Sequence, residues 1–201
     1  MDLELARLRA EERYKLLIGL VIPRPIAWIS TRSENGVANC APFSFFNVFS
    51  EDPPLCVIGI NPRKDGAMKH TLKNIRRTRE FVVNLVDEAT ANAMHISSYE
   101  FAEDVSEFEK TGLTPTPAMT VQHPRIAEAA ACLECRLYRL IEVSGTRELV
   151  LGEIQLVHAR DGIIDPATKR ISEERYRPVG RLFANRYCTT RQRFDLPGEL
   201  P

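Results

Sequence analysis

The sequence predicts a mainly β protein with helices (α+β), built as a closed antiparallel barrel with the helices packed outside. Three observations lead there. About six or seven segments read as strands, and most reach the next through a hairpin turn. Only one helical segment sits cleanly between two strands, which argues against a βαβ sheet. The chain has 201 residues, no internal repeat and no low-complexity stretch, which suits a single domain over 1–201.

The elements follow in order. Residues 4–18 read as an amphipathic helix with Leu5, Leu8, Tyr14, Leu16 and Leu17 as its apolar members, and Pro23-Arg24-Pro25 ends it. IAWIST (26–31) reads as a strand, Glu34-Asn35-Gly36 as a hairpin turn, and 37–41 as the returning strand. LCVIGIN (55–61) is a strongly apolar strand stopped by Pro62. Asp65 is placed to cap a helix from about Ala67 to Arg77, and EFVVNLV (80–86) is the next strand. Residues 88–111 form a polar excursion, helical in pieces, followed by a Pro-rich loop at 111–119. Two long strands, 130–143 and 148–159, are joined near Ser144-Gly145-Thr146, and Asp161-Gly162 breaks the chain again.

Composition narrows the function classes. Hydrophobic residues make up 44% and charged residues 27%, with a formal net charge of zero. A nucleic-acid binder usually carries a basic excess, so no nucleic-acid partner is expected. The run Arg76-Arg77-Thr78-Arg79 fits a solvated helix end. The charged N-terminus has no apolar signal core, and LLIGLVI (16–22) is too short to span a bilayer. A soluble, cytoplasmic protein with no membrane partner is expected. Five cysteines do not make a disulfide framework. Cys132 and Cys135 stand three apart on a predicted strand, so they point to opposite faces and cannot easily share a metal.

No motif supports acid/base hydrolysis. None of His70, His95, His123 and His158 follows a nucleophile elbow, and there is no H-E-x-x-H, Walker loop or G-x-G-x-x-G. The pairs Glu11-Glu12 and Glu173-Glu174 read as exposed helix charges. No metal site and no catalytic residue can be named.

Two segments do carry chemistry. NCAPFSFFNVFSEDPP (39–54) sets Asn39, Ser44 and Asn47 among four phenylalanines. A flat heteroaromatic ring needs apolar walls, a few donors and acceptors, and a backbone that comes close. Phe45 and Phe46 can be walls, Ala41 and Pro42 keep the chain close, and Ser30 and Thr31 lie near Asn39 across the turn. The same phenylalanines also suit a barrel core. In RKDGAMKHTLKN (63–74), Arg63, Lys64, Lys69, His70 and Thr71 gather at a predicted helix start, a setting that favours phosphate. A capped surface helix fits that segment equally well.

The order of PRPIAWIST, SENGVANCAPFSFFNVFSEDPP, LCVIGINPRKDGAMKHTLKNIRRTREFVVNLV, LECRLYRLIEV, LVLGEIQLVHARDGI and RPVGRLFANRYC resembles the flavin reductase-like proteins of the FMN-binding split barrel. The resemblance covers roughly 13–188. It implies a split β-barrel of Greek-key-like antiparallel strands and a homodimer, with FMN in a cleft at or near the dimer interface. It implies that Ser30, Thr31, Asn39, Ala41 and Ser44 contact the flavin or its ribityl chain. Lys64 and Thr71, with Arg63, would hold the phosphate, and Arg181 in PVGRL is a further candidate. The implied activity is an NAD(P)H-dependent flavin oxidoreductase, with a monooxygenase or other redox partner as acceptor. Some members carry an Asp-His pair before a strand ending in Gly-Glu-Val. Here that place reads Gly145-Thr146-Arg147 ahead of Leu151-Gly152-Glu153-Ile154, without the histidine. His158 is a substitute by position, the 88–119 excursion can cover the cleft, and a non-enzymatic flavoprotein electron carrier is the alternative. A cofactor-free barrel that keeps only the fold is a third.

Overall fold

The computed structural model describes residues 1–145, 147–196 and 198. Thr146, at the predicted joint of the two long strands, lies outside them. Helix α1 (Ala10–Leu20) leads to β1 (Ala27–Arg32), which turns back into β2 (Ala38–Phe43). Strand β3 (Phe46–Glu51) follows at once and pairs with β4 (Pro54–Ile60). Helix α2 (His70–Thr78) precedes β5 (Glu80–Leu85). The excursion holds α3 (Ala91–Ile96), α4 (Glu107–Thr111) and the two-residue strands β6 (Pro115–Thr116) and β7 (Arg125–Ile126). Strands β8 (Ala131–Ser144) and β9 (Arg147–Ala159) form the long hairpin, and β10 (Val179–Arg181) pairs with β11 (Tyr187–Thr189).

Seven strands make one antiparallel sheet in the order β2-β1-β5-β8-β9-β4-β3. Strands β2 and β3 are its two edges, yet only Ser44 and Phe45 separate them in the chain. That link spans roughly 10 Å when extended. The sheet must therefore roll until its edges meet, and the predicted barrel is the result.

Period-two alternation sorts side chains between two apolar clusters. Ala27 and Ile29 point into the barrel with Ile58, Phe81, Val83, Cys135 and Val150, and α2 contributes Leu72 and Ile75. Trp28, Cys40, Val82 and Cys132 point outward, where Met94, Phe108 and Ile126 cover them. The excursion is thus the lid of one barrel face. Cys132 and Cys135 fall in different clusters, as strand geometry demands, and all five cysteines are free. The interior leaves no spare room at Gly152, where a Cβ would lie 2.4 Å from the Phe81 ring.

Four expectations change. The helix over 4–18 is a 3-10 turn at Leu5–Arg7 and then α1, because Arg9 is extended and Glu12 accepts its N–H at 2.8 Å in a capping box. Its apolar side is only partly covered by this chain: α1 buries no residue, Leu16 and Ile18 are half-buried, and Leu17 and Leu20 are exposed. Asp65 does not cap α2. It accepts from Ala67 N at 2.9 Å in the preceding turn, and the helix begins only at His70, behind Lys69. Strand β3 was not expected, because an edge strand with Val48 and Phe49 exposed lacks the in-out pattern of a core strand. The basic run does end α2, with Arg79 in the left-handed region at φ 62°. Among the described residues no helix is long and apolar enough to cross a membrane.

His123 joins the excursion to the barrel. Its Nδ1 accepts from Arg32 N at 3.0 Å and its Nε2 lies 2.8 Å from Thr78 Oγ1, with 1% of the residue exposed. Burial pushes its pKa down to about 4. Above the unfolded value, about 6.5, the ring is neutral in both states and contributes no pH dependence. As pH falls from there towards 4 the unfolded chain takes up a proton that the folded chain refuses, so stability drops, by about 3 kcal/mol in all. Urea unfolding at pH 7, 5.5 and 4.5 checks this: His123→Gln should lose stability less steeply over that window than the parent.

Candidate functional site

Where β2 gives way to β3, a cleft of about 690 Å³ opens at the barrel seam. The seam itself supplies Ala41, Pro42, Ser44 and Phe45. Helix α1 adds Tyr14 and Ile18, and the segment around the start of α2 adds Arg63, Lys64, Lys69, His70 and Thr71. The excursion contributes Ser97 to Phe101 and Glu107, and the last hairpin Arg181 and Tyr187. Gly59 allows Phe45 to come close to β4, since a Cβ there would lie 3.1 Å from Phe45 Cβ.

One end of the cleft is cationic. No side chain caps α2, so its first N–H groups lack partners within the helix and its dipole favours an anion. Arg63 Nη1 lies 3.0 Å from His70 Nε2. An arginine N–H can only donate, so Nε2 accepts and Nδ1 carries the ring proton. Burial, then the Arg63 charge, lowers the His70 pKa and keeps the ring neutral. Lys69 pairs with Glu100 at 3.0 Å, whereas the Lys64 ammonium bonds no side chain among the described residues.

Asn39 organises the wall beside that end. Its Nδ2 donates to Glu107 Oε1 and Oε2 at 2.8 and 2.9 Å. Its Oδ1 accepts from Thr71 at 3.1 Å and from Thr31 at 3.4 Å. Asn74 Nδ2 donates to Thr31 Oγ1 at 3.0 Å, and Cys40 N donates to Glu107 Oε2 at 3.1 Å. Burial raises the Glu107 pKa, opposed by the hydrogen bonds from Cys40 and Asn39.

Asn39, Ala41, Ser44, Arg63, Lys64, Thr71 and Arg181 thus line one cleft. Ser30 and Thr31 do not. Ser30 is fully buried, donating to Pro124 O at 2.5 Å and accepting from Asn84 at 2.9 Å, and Thr31 reaches the cleft only through Asn39. The Thr71 hydroxyl is committed to Asn39, which leaves its backbone N–H for a ligand. Asn47 is exposed and accepts from Val48 N at 2.8 Å, outside the cleft, and Phe46 packs against the barrel interior. His158 is no substitute for the missing histidine: it bonds Glu134, which holds Met119 N and Thr120 N at 2.8 and 2.5 Å and so clamps the excursion.

Sequence reasoning missed Glu107, Arg24 and Tyr187. Glu107 is invisible without knowing that α4 packs on β2. Arg24 had one signal, a charge locked between two prolines just ahead of an apolar strand. Together the residues fit a flat ring with an anionic tail: aromatic walls and close backbone at the seam, free N–H groups and cations at the helix start.

The flavin reductase-like domain model matches residues 19–180. An uncharacterised protein of Aquifex aeolicus is 45% identical over 174 residues, covering 87% of this chain and 88% of its own. The structure of Pseudomonas fluorescens 2-nitrobenzoate 2-nitroreductase superposes with a TM-score of 0.91 at 39% identity, covering 100% and 98%. That of nitrilotriacetate monooxygenase component B from Bacillus cereus gives 0.92 at 30%, covering 98% of each.

Glu107→Ala would strand the Asn39 amide and the Cys40 N–H in a buried site. We expect a loss of about 2–4 kcal/mol in chemical denaturation, with Glu107→Gln costing less because it keeps one acceptor.

Proposed function

The chain belongs to the flavin reductase-like family, and on that footing we propose that it binds FMN in the seam cleft and passes electrons from NAD(P)H to a small acceptor. The observation that carries this reading is the pairing, within one cleft, of the uncapped α2 start with the close-packed backbone and aromatic walls of 41–45. Lys64, Arg63 and the first N–H groups of α2 would hold the phosphate. Asn39, Ala41 and Ser44 would face the ring and ribityl chain, with Ser30 and Thr31 one layer behind. Bound FMN supplies hydride and electron chemistry of its own, which accounts for a site without a nucleophile or a proton-transfer pair. The protein's share is to hold the ring, exclude water and orient the acceptor.

A homodimer belongs to the same proposal. The exposed Leu17 and Leu20 of α1 and the exposed Val48 and Phe49 of the β3 edge adjoin the cleft-forming segments and suit a second copy. Likeness to the nitroreductase at 39% identity over the whole chain supports a small organic acceptor. Likeness to a monooxygenase component supports transfer to a partner oxygenase. The second reading, an electron carrier reduced by a protein partner, rests on Gly145-Thr146-Arg147 standing where some relatives have Asp-His.

Adding FMN and then NADH or NADPH without air, while following flavin absorbance, tests this. Bound flavin bleached by the nicotinamide supports the reductase. Bound flavin that only a reductase partner can bleach supports the carrier, and failure to take up micromolar FMN rejects both. Lys64→Ala should weaken FMN about tenfold, or about 1.4 kcal/mol, and leave riboflavin almost unchanged. Fluorescence titration with the two ligands reads the difference, and equal losses would remove Lys64 from phosphate binding.

A further inference from the structure

Arg24 is 7% exposed and lines the cleft, yet among the described residues no carboxylate bonds it. Its Nη1 donates to the carbonyls of Ile18 and Val21 at 2.6 and 2.7 Å, its Nη2 to Leu182 O at 2.7 Å, and its Nε to Ser44 Oγ at 3.3 Å. All four acceptors are neutral. A buried guanidinium is normally paired with an acid, because desolvating its charge is costly.

The position opposite makes matters worse. Arg24 and Arg181 face each other in an isolated antiparallel bridge, with reciprocal backbone bonds of 3.0 and 2.8 Å. Residues so paired project to the same side with Cβ atoms about 5 Å apart, and like charges there repel. Burial lowers the Arg24 pKa, opposed by Tyr14 and helped by the Arg181 charge. The Arg181 guanidinium lies 4.6 Å over the Tyr187 ring and bonds Tyr187 Oη and Ala184 O, which carry no charge.

Two neighbouring cations that no acid pairs among the described residues therefore line the cleft, on elements other than the Arg63–Lys64 segment. Around them stand Tyr14 and Phe45, edge to face at 6.3 Å, and Tyr187. Ser44, accepting from Arg24, keeps its own O–H to offer a ligand. We propose that Arg24, Arg181 and Ser44 form a second anion subsite, which receives the carboxylate of a small aromatic acid whose ring lies among Tyr14, Phe45 and Tyr187. This rests on the flavin reading of the same cleft and assigns Arg181 to the acceptor instead of to FMN.

Benzoate is the probe, with benzamide as its neutral counterpart, each titrated calorimetrically into the protein with and without FMN. Arg181→Met is the main variant, because among the described residues the Arg181 side chain bonds only within its own hairpin while its backbone bonds to Arg24 do not depend on the side chain, and a thermal melt verifies its fold. Ser44→Ala is the second. We expect benzoate to bind, to lose at least tenfold in Arg181→Met and several-fold in Ser44→Ala, and benzamide to bind weakly and alike in all three. FMN affinity should change less than threefold in Arg181→Met. If FMN binds but benzoate does not, or binds Arg181→Met equally well, the subsite is wrong and the flavin reading stands. If Arg181→Met instead raises only the KM for NADPH or NADH, the two arginines serve the nicotinamide's phosphates and the proposal falls. If FMN fails to bind while benzoate binding still depends on Arg181, the flavin reading fails and the anion subsite survives.

Discussion

The arrangement depends on one buried side chain, the Asn39 amide. It spends both donors on Glu107 and its oxygen on Thr71 and Thr31, and so ties four separate parts of the chain together. Strand β2 is a sheet edge, whose outward backbone groups need partners. Glu107 takes the Cys40 N–H and Ser106 donates to Ala38 O at 2.6 Å, so α4 closes that edge while Asn39 locks the carboxylate in place. Among the described residues no buried side-chain polar atom is left without a partner. Such a network permits one arrangement, since every partial break leaves a desolvated donor or acceptor behind.

The cleft is a by-product of closure. Rolling seven strands until β2 and β3 meet leaves a seam where the ladder stops, and Ser44 and Phe45 cross it. Inside the barrel, Gly152 has no space even for a methyl group against the Phe81 ring. The cleft opens instead at the seam, where α1, the α2 start, the excursion and the last hairpin overhang the gap. Each wall arrives from a different part of the sequence, and rigidity at the base lets loops and helix ends carry the recognition.

Much of this was legible beforehand. Alternation placed β1, β4, β5, β8 and β9 and separated Cys132 from Cys135, because period-two burial is a local signal. Segment order pointed to the barrel, and residues of 39–45 and 63–71 do line one cleft, although Phe46 and Asn47 lie outside it. What stayed hidden is non-local. Ser30 and Thr31 look like ligands from the hairpin, but strand direction turns Ser30 towards Pro124 and leaves Thr31 behind Asn39. Glu107 lies 68 residues from Asn39, and nothing around it announces the contact. Strand β3 escaped notice because an edge strand with exposed aromatics has the composition of a binding loop.

Arg24 shows how such a site can and cannot diversify. One side chain ends α1, fastens the turn after β10 and braces Ser44. Replacing it would disturb three segments at once, so its effects on ligand choice are inseparable from its effects on folding. Arg181 faces the same cleft, but among the described residues its side chain bonds only within its own hairpin. In evolutionary terms the first position is pleiotropic and slow, the second modular and free to vary. Among chains of this architecture, drift in ligand preference should be recorded at 181, against a nearly fixed background at 24.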